Sequence, residues 1–276
     1  MELEEIINLK KNANEIRKNL LLAIHSVQTG HPGTSLSMIE ILTVLYMKYL
    51  RINKTDSKDI DRDFFILSKG HGAPGLYSTL AQVGLIPKAE LYTLRKLGSR
   101  LQGHPNSDYL PWVEFSTGSL GQGISVSVGI ALGLKLERKP NRVFCILGDG
   151  ELQEGQNWEA AMSAAFLQLG GLTVIVDKNN LQSDGETAKI MDLGDLASKW
   201  EAFGWHVASV DGHDFRSLDM AISKALLVHD KPSVIIANTV KGKGVSFMEG
   251  SPKWHHHPIS DQEIDIAIKE LENENY

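Results

Sequence analysis

Asp149 lies between Gly148 and Gly150 after an apolar run, residues 143–147, and Asn179-Asn180 follows a second apolar run, residues 172–176, with Asn179 thirty positions after Asp149. A carboxylate and an amide oxygen are hard donors suited to Mg²⁺ or Ca²⁺. Mg²⁺ commonly takes few protein ligands and completes its octahedron with phosphate oxygens and water. Two such donors at strand ends therefore point to a metal-bound, phosphorylated cofactor. Gly148 and Gly150 would let backbone approach it, and a following helix would aim N–H groups and a positive dipole end at the phosphates. The plainer alternative is a pair of unrelated turns, since Gly, Asp and Asn dominate loops. Either half alone favours turns; the two together favour a site.

His31, His71 and His104 are candidate proton-transfer groups, each beside glycine in a loop where backbone can come near a ligand. Imidazole titrates near neutrality and can relay protons, although a loop histidine is more often a solvated surface group. Residue chemistry alone leaves both roles open.

For Asp149 and Asn179 to meet, the two apolar runs must be neighbouring parallel strands. Both are short and rich in β-branched residues, and residues 158–167 between them are good helix formers that Gly170-Gly171 stops. A right-handed strand–helix–strand unit places both carboxyl ends on one edge of the sheet, where such folds bind ligands. Further strands are expected at 64–67, 205–210 and 233–238, in addition to 143–147 and 172–176. Helices are expected at 3–28, 34–49, 75–83, 121–136, 215–228 and 261–274, the last strongly acidic and exposed. Residues 98–117, with His104, form a long connection of the kind that is often functional. Strands interleaved with helices predict an α/β fold, a doubly wound, mainly parallel sheet flanked by helices. No linker or low-complexity tract divides residues 1–276, so one domain is expected.

Of the 276 residues, 42% are hydrophobic and 22% charged, as in an ordinary soluble globular protein. A net charge of −6 argues against a general nucleic-acid binder, which needs dense Lys and Arg. Met1-Glu2-Leu3-Glu4-Glu5 lacks the pattern of a signal peptide and no apolar stretch reaches membrane-spanning length, so a cytoplasmic protein with no membrane partner is expected. The single cysteine, Cys145, sits in an apolar strand and reads as core packing.

Gly148-Asp149-Gly150, followed by 28 residues and Asn179-Asn180, resembles the thiamine diphosphate motif. Thr29-Gly30-His31-Pro32-Gly33, Ser68-Lys69-Gly70-His71-Gly72, Gln102-Gly103-His104-Pro105, Thr117-Gly118-Ser119-Leu120-Gly121-Gln122-Gly123 and Trp254-His255 narrow the resemblance to transketolases. It covers nearly the whole chain, in the family's order. It implies a thiamine diphosphate-binding fold, with thiamine diphosphate held through Mg²⁺, for which Ca²⁺ or Mn²⁺ can substitute. Asp149, Asn179 and the backbone carbonyl of Leu181 would ligate the metal. His71, Gly118, Leu120, Gly148, Asp149, Gly150, Glu154, Asn179 and Lys241 would surround the cofactor. His31, His71, His104 and His255 would be catalytic, lining the channel to the thiazolium carbon and relaying protons. Lys241 could otherwise be a solvated loop charge, and Glu154 a helix-start glutamate favoured by the dipole. His256 and His257 stand where the family commonly carries a glycine and another residue. Only His255 matches the family position, so both are left out of the expected site; a metal-binding reading of His255-His256-His257 is disfavoured because adjacent histidines on one strand point alternately.

The resemblance reaches only the amino-terminal part of a full-length transketolase. The family's pyrimidine-binding and carboxyl-terminal domains, including the glutamate that hydrogen-bonds the aminopyrimidine, have no counterpart in these residues. It therefore implies the amino-terminal subunit of a split transketolase, active with a separately encoded carboxyl-terminal subunit in an α2β2 assembly. The expected reaction moves a two-carbon ketol unit between sugars or sugar phosphates, with sedoheptulose, xylulose and ribose phosphates as the default. One alternative is a non-catalytic cofactor-binding subunit, against which the histidine set weighs. Another is an α-subunit-like chain of a different divided thiamine enzyme, such as a 2-oxo-acid dehydrogenase, against which segments 30–33 and 118–123 weigh.

Overall fold

The computed structural model describes residues 1–273. Its strands are β1 (Phe64–Leu67), β2 (Val143–Gly148), β3 (Leu172–Lys178), β4 (Leu181–Gln182), β5 (Gly185–Glu186), β6 (His206–Asp211) and β7 (Ser233–Asn238). Five of them form one sheet in the order β1-β2-β3-β7-β6, every pair parallel, while β4 and β5 make a small antiparallel hairpin. The central strands read as unbroken apolar runs because both sheet faces are covered. In β2, Phe144 and Ile146 enter one core while Val143, Cys145 and Leu147 enter the other.

The helices are α1 (Leu3–Val27), α2 (Pro32–Ser37), α3 (Ile39–Val44), α4 (Ala73–Gln82), α5 (Gln122–Leu136), α6 (Gly155–Phe166), α7 (Thr187–Met191), α8 (Leu196–Ala202), α9 (Phe215–Leu226) and α10 (Asp261–Glu272). Residues of α1 to α4, α9 and α10 build the first core, and residues of α5, α6 and α8 the second. The chain steps from β1 to β2 to β3, jumps to the edge at β6 and returns through α9 to β7. A right-handed return in that direction carries α9 to the opposite face. None of the described helices is long and apolar enough to cross a membrane.

Several predicted boundaries move. Residues 34–49 are not one helix: Met38, at φ −104° and ψ 10°, separates α2 from α3, and Leu45–Tyr49 is a π-helical turn. α6 starts at Gly155 and ends at Phe166, where Gln168 at φ 52° turns the chain before Gly170-Gly171 is reached. α10 is not simply an exposed acidic helix. Ile264, Ala267 and Leu271 are buried in the first core, and Ser260 and Glu263 close a capping box at its start. The expected extension of that helix to 274 passes outside the described residues. No element was expected within 177–204, yet the hairpin, α7 and α8 lie there; Ser183-Asp184-Gly185 is the turn signal that could have found the hairpin.

The expected long connection holds no helix or strand from 98 to 117. Side-chain anchors fix it instead: the Tyr77 hydroxyl donates to the carbonyls of Gln102 and His104 at 3.0 and 3.2 Å, and the Thr117 hydroxyl to that of Leu67 at 2.7 Å.

At the start of α5 a Cβ on Gly123 would stand 2.6 Å from the Ser68 side chain and 2.7 Å from Ser68 Cα. Gly123→Ala is therefore expected to cost about 1–3 kcal/mol through overpacking. Urea denaturation checks this, and a stability equal to that of the parent chain would contradict the close approach.

Candidate active site

The carboxyl ends of β1, β2, β3 and β7 deliver Lys69, Asp149, Asn179 and Lys241 to one cavity of about 330 Å³. All nine residues expected around the cofactor line it, together with Leu181 and His255.

Asp149 is buried, and its Oδ2 accepts from the Asn180 N–H at 2.7 Å and the Thr187 hydroxyl at 3.3 Å. Asn180 can aim that N–H because it adopts φ 60°, a region asparagine tolerates. Burial, then the Asp177 carboxylate, push Asp149 up to about 6. Asn179 is also buried, and its Oδ1 accepts from the Leu181 N–H at 3.0 Å. Among the described residues no group of three His, Cys, Asp or Glu is placed to hold a metal. A cation here would draw on a carboxylate, an amide oxygen and a carbonyl, and on its own phosphate and water ligands. That donor set could hold Mg²⁺ or Ca²⁺.

Lys241 is 1% exposed, so the solvated-charge alternative fails. Its ammonium donates to the carbonyls of Leu181 and Gln182 at 3.2 and 3.3 Å and stands 3.0 Å from His255 Nδ1. Burial, then Lys69, lower it to about 8. The Leu181 carbonyl, expected on the metal, is thus occupied by Lys241. Glu154 is exposed, begins α6 and makes no side-chain hydrogen bond among the described residues. The buried carboxylate is Glu151, which accepts from the N–H groups of Gly121 and Gly148 at 2.8 and 3.0 Å and from the Ser68 hydroxyl at 2.5 Å. Gly121 can turn its N–H to Glu151 because it adopts φ 84°.

Beneath the cavity, Lys69 and Asp177 form an ion pair that is essentially inaccessible to solvent. Lys69 also donates to Thr34 O and Oγ1 at 3.0 and 3.1 Å, while Asp177 accepts from the hydroxyls of Ser37 and Thr239. This network ties the ends of β1, β3 and β7 to α2. Sequence reasoning missed it; the only signal was that Lys69 and Asp177 each end an apolar strand.

The four expected histidines come together although they lie on four separate connections. His31 is 5.4 Å from His71, 6.2 Å from His104 and 5.5 Å from His255 between ring centroids, and His71 is 5.2 Å from His255. His256, which the sequence reading excluded, lies nearer still to His31, at 4.6 Å. A 3₁₀ turn, Pro252–His255, precedes it, and the chain becomes extended only at His256. His257 stays out, packed on Trp254 at 4.9 Å.

Burial, with neighbouring cations and rings, lowers the pKa values of His31, His71, His104 and His255 and so keeps these four neutral. Burial, then His256, His255 and His104, lower His31 to about 3; burial, then Lys241, lower His255 to about 4; burial and Lys69 hold His71 well below the usual range. His31 Nδ1 is buried with no hydrogen-bond partner among the described residues, a costly state unless a ligand supplies one. In NMR titrations the ring protons of His31 and His255 are expected to stay flat from about pH 5.5 to 8. A midpoint near 6.5 for either would contradict the burial. Their unfolded forms take up protons first, so as pH falls below 6.5 they subtract from stability.

A second cavity, of about 350 Å³, opens at the opposite edge of the sheet beside Lys135 and Arg142. Their cations donate to the carbonyls of Leu167 and Gln168 after α6, and of Gly170 and Leu226, which is the ordinary role of cations at helix carboxyl ends. Cys145 is buried in the sheet core, and burial pushes its thiol up to about 12.

A parallel sheet with ligand chemistry on four adjacent strand ends and a five-histidine cluster beside it defines a cofactor-binding α/β domain. Residues 9–275 match the family described as transketolase, thiamine diphosphate binding domain, and the chain belongs to that family. It is similar to an apulose-4-phosphate transketolase subunit of Actinobacillus succinogenes, 43% identical over 96% of each chain. It is also similar to a 6-deoxy-6-sulfo-D-fructose transketolase subunit of a Clostridium species, 42% identical over 98% of each chain. Among solved structures, transketolase from Leishmania mexicana superposes with a TM-score of 0.90 at 32% identity, over 96% of this chain and 41% of that one. The chain thus spans about two-fifths of that solved enzyme.

Proposed function

We propose that residues 1–276 form one diphosphate-binding domain, the amino-terminal subunit of a thiamine diphosphate-dependent transketolase. A separately encoded carboxyl-terminal chain would complete it as an α2β2 cytoplasmic enzyme. The observation that carries this reading is the convergence of Asp149, Asn179 and the histidine cluster on one strand-end edge. The subunit names of the two relatives support a divided enzyme. So do the exposed apolar side chains of Leu136, Met162 and Phe166 on α5 and α6, which suit a covering chain.

When bound, thiamine diphosphate supplies the carbon nucleophile and electron sink for breaking and remaking the bond next to a ketose carbonyl. Asp149, Asn179 and the Leu181 carbonyl would hold Mg²⁺ against the diphosphate. Lys241, which lines the same cavity, would offset the diphosphate's negative charge with its ammonium. His31, His71, His104 and His255, neutral at physiological pH, can accept a proton from the donor sugar's hydroxyl as its carbon–carbon bond breaks and return one to the carbonyl oxygen of the acceptor aldehyde as the new bond turns it into a hydroxyl. The names of the two relatives, which refer to a phosphorylated and a sulfonated ketose, support such sugars as candidate donors beside the common pentose and heptose phosphates.

Mixing the purified chain with its partner subunit, thiamine diphosphate and Mg²⁺ should give ketol transfer that neither chain gives alone. Full activity without a partner would overturn the divided-enzyme reading, and no activity from any mixture would overturn ketol transfer.

A further inference from the structure

We propose that His256, held by Thr29, is a specificity-determining residue that reads the end of the sugar remote from the reacting carbons. The inference rests on the ketol-transfer reading and extends it. Three consecutive histidines leave the Pro252–His255 turn in three directions. His255 faces Lys241 and His71, His257 packs on Trp254, and His256, at φ −141° and ψ 104°, meets His31 edge-on at 4.6 Å.

The His256 ring is fixed rather than loose. Its Nε2 lies 3.3 Å from the Thr29 hydroxyl, in the same loop as His31. Its Nδ1 has no partner among the described residues, and the residue is exposed. It therefore presents one free imidazole nitrogen in a set orientation.

Depth gives that nitrogen its role. His71 and His255 line the cofactor cavity, His31 touches both, and His256 stands beyond His31 without lining the cavity. A sugar with its reacting carbons at the cavity would carry its further hydroxyls past His31 toward His256. The Arg95 guanidinium lies against Gly103, beside His104, and brings a positive charge to this outer rim. Hydroxyl groups and a terminal oxyanion suit such a rim, because an imidazole nitrogen can donate to either.

The assembled complex with thiamine diphosphate and Mg²⁺ tests this with two substrate pairs. Hydroxypyruvate with glycolaldehyde is the short pair and lacks a remote end; a phosphorylated ketose with a phosphorylated aldose is the long pair. His256→Ala should raise KM for the long pair about tenfold, the scale of one lost hydrogen bond, with kcat unchanged. Its kcat/KM for the short pair should stay within about twofold of the parent enzyme. His256→Asn, which keeps a hydrogen-bonding group, should recover part of the loss. Equal losses on both pairs, or none on either, would overturn the assignment. Calorimetric binding of the phosphorylated aldose to the same complex reads His256 without turnover: about tenfold weaker binding by His256→Ala supports the proposal, and unchanged affinity overturns it. Absence of ketol transfer by the parent complex, by contrast, strikes the proposed function itself.

Discussion

Asp149→Ala is expected to abolish metal-dependent binding of thiamine diphosphate by the assembled complex while leaving the fold intact. The expected loss is at least about a hundredfold, since even outer-shell partners of metals act on the scale of 10–100-fold. Asp149 is the one carboxylate in the candidate donor set, and its Oδ2 also orders Asn180 and Thr187. Calorimetric titration with and without Mg²⁺ measures the effect, and undiminished affinity would remove Asp149 from the site. A stability measurement adds a separate check. In the chain without metal, Asp149 rises from the ordinary 3.8 to about 6, so the folded state holds its proton more tightly than the unfolded state. That contribution is complete at pH values below 3.8 and is lost as pH rises through about 6. Asp149→Asn should flatten this part of the stability profile, and an unchanged profile would show that another group causes it.

The largest effect on folding is expected from Lys69→Met. It would strand the Asp177 carboxylate, which is fully buried, without its cation. Breaking a buried pair by removing one partner costs about 3–5 kcal/mol. Adding Asp177→Asn should recover more than half of that, because the amide oxygen can still accept from Ser37 and Thr239 while the buried charge is gone. Chemical denaturation of the two variants decides the matter. A single-variant loss below about 1 kcal/mol would place the pair in water-like surroundings.

The sheet and the Asp149–Asn179 corner were legible because their signals are local. An apolar run of β-branched residues ending in Gly-Asp-Gly or Asp-Lys-Asn-Asn announces both a buried parallel strand and what stands at its end. What lay hidden depends on side chains brought together from distant positions. Lys69 and Asp177 are 108 positions apart, and neither carries a local sign of its partner. Glu151 and Glu154 differ in burial because the chain makes a 3₁₀ turn, Gly150–Gln153, before α6, and a turn of that kind leaves no periodicity to read. The proximity of His256 to His31 was hidden for a similar reason, because it depends on how the chain leaves the Pro252–His255 turn.

Each central strand divides its residues between two separate cores while its last residues carry the site. Inserting or deleting one residue within β2 would exchange every side chain between those cores and shift Asp149 along the edge at the same stroke. No compensating change nearby could repair both faults. Length variation among descendants of this chain should therefore be confined to connections that carry no site residue, above all 50–63, and a tolerance map of single-residue insertions should show the sheet as five silent gaps.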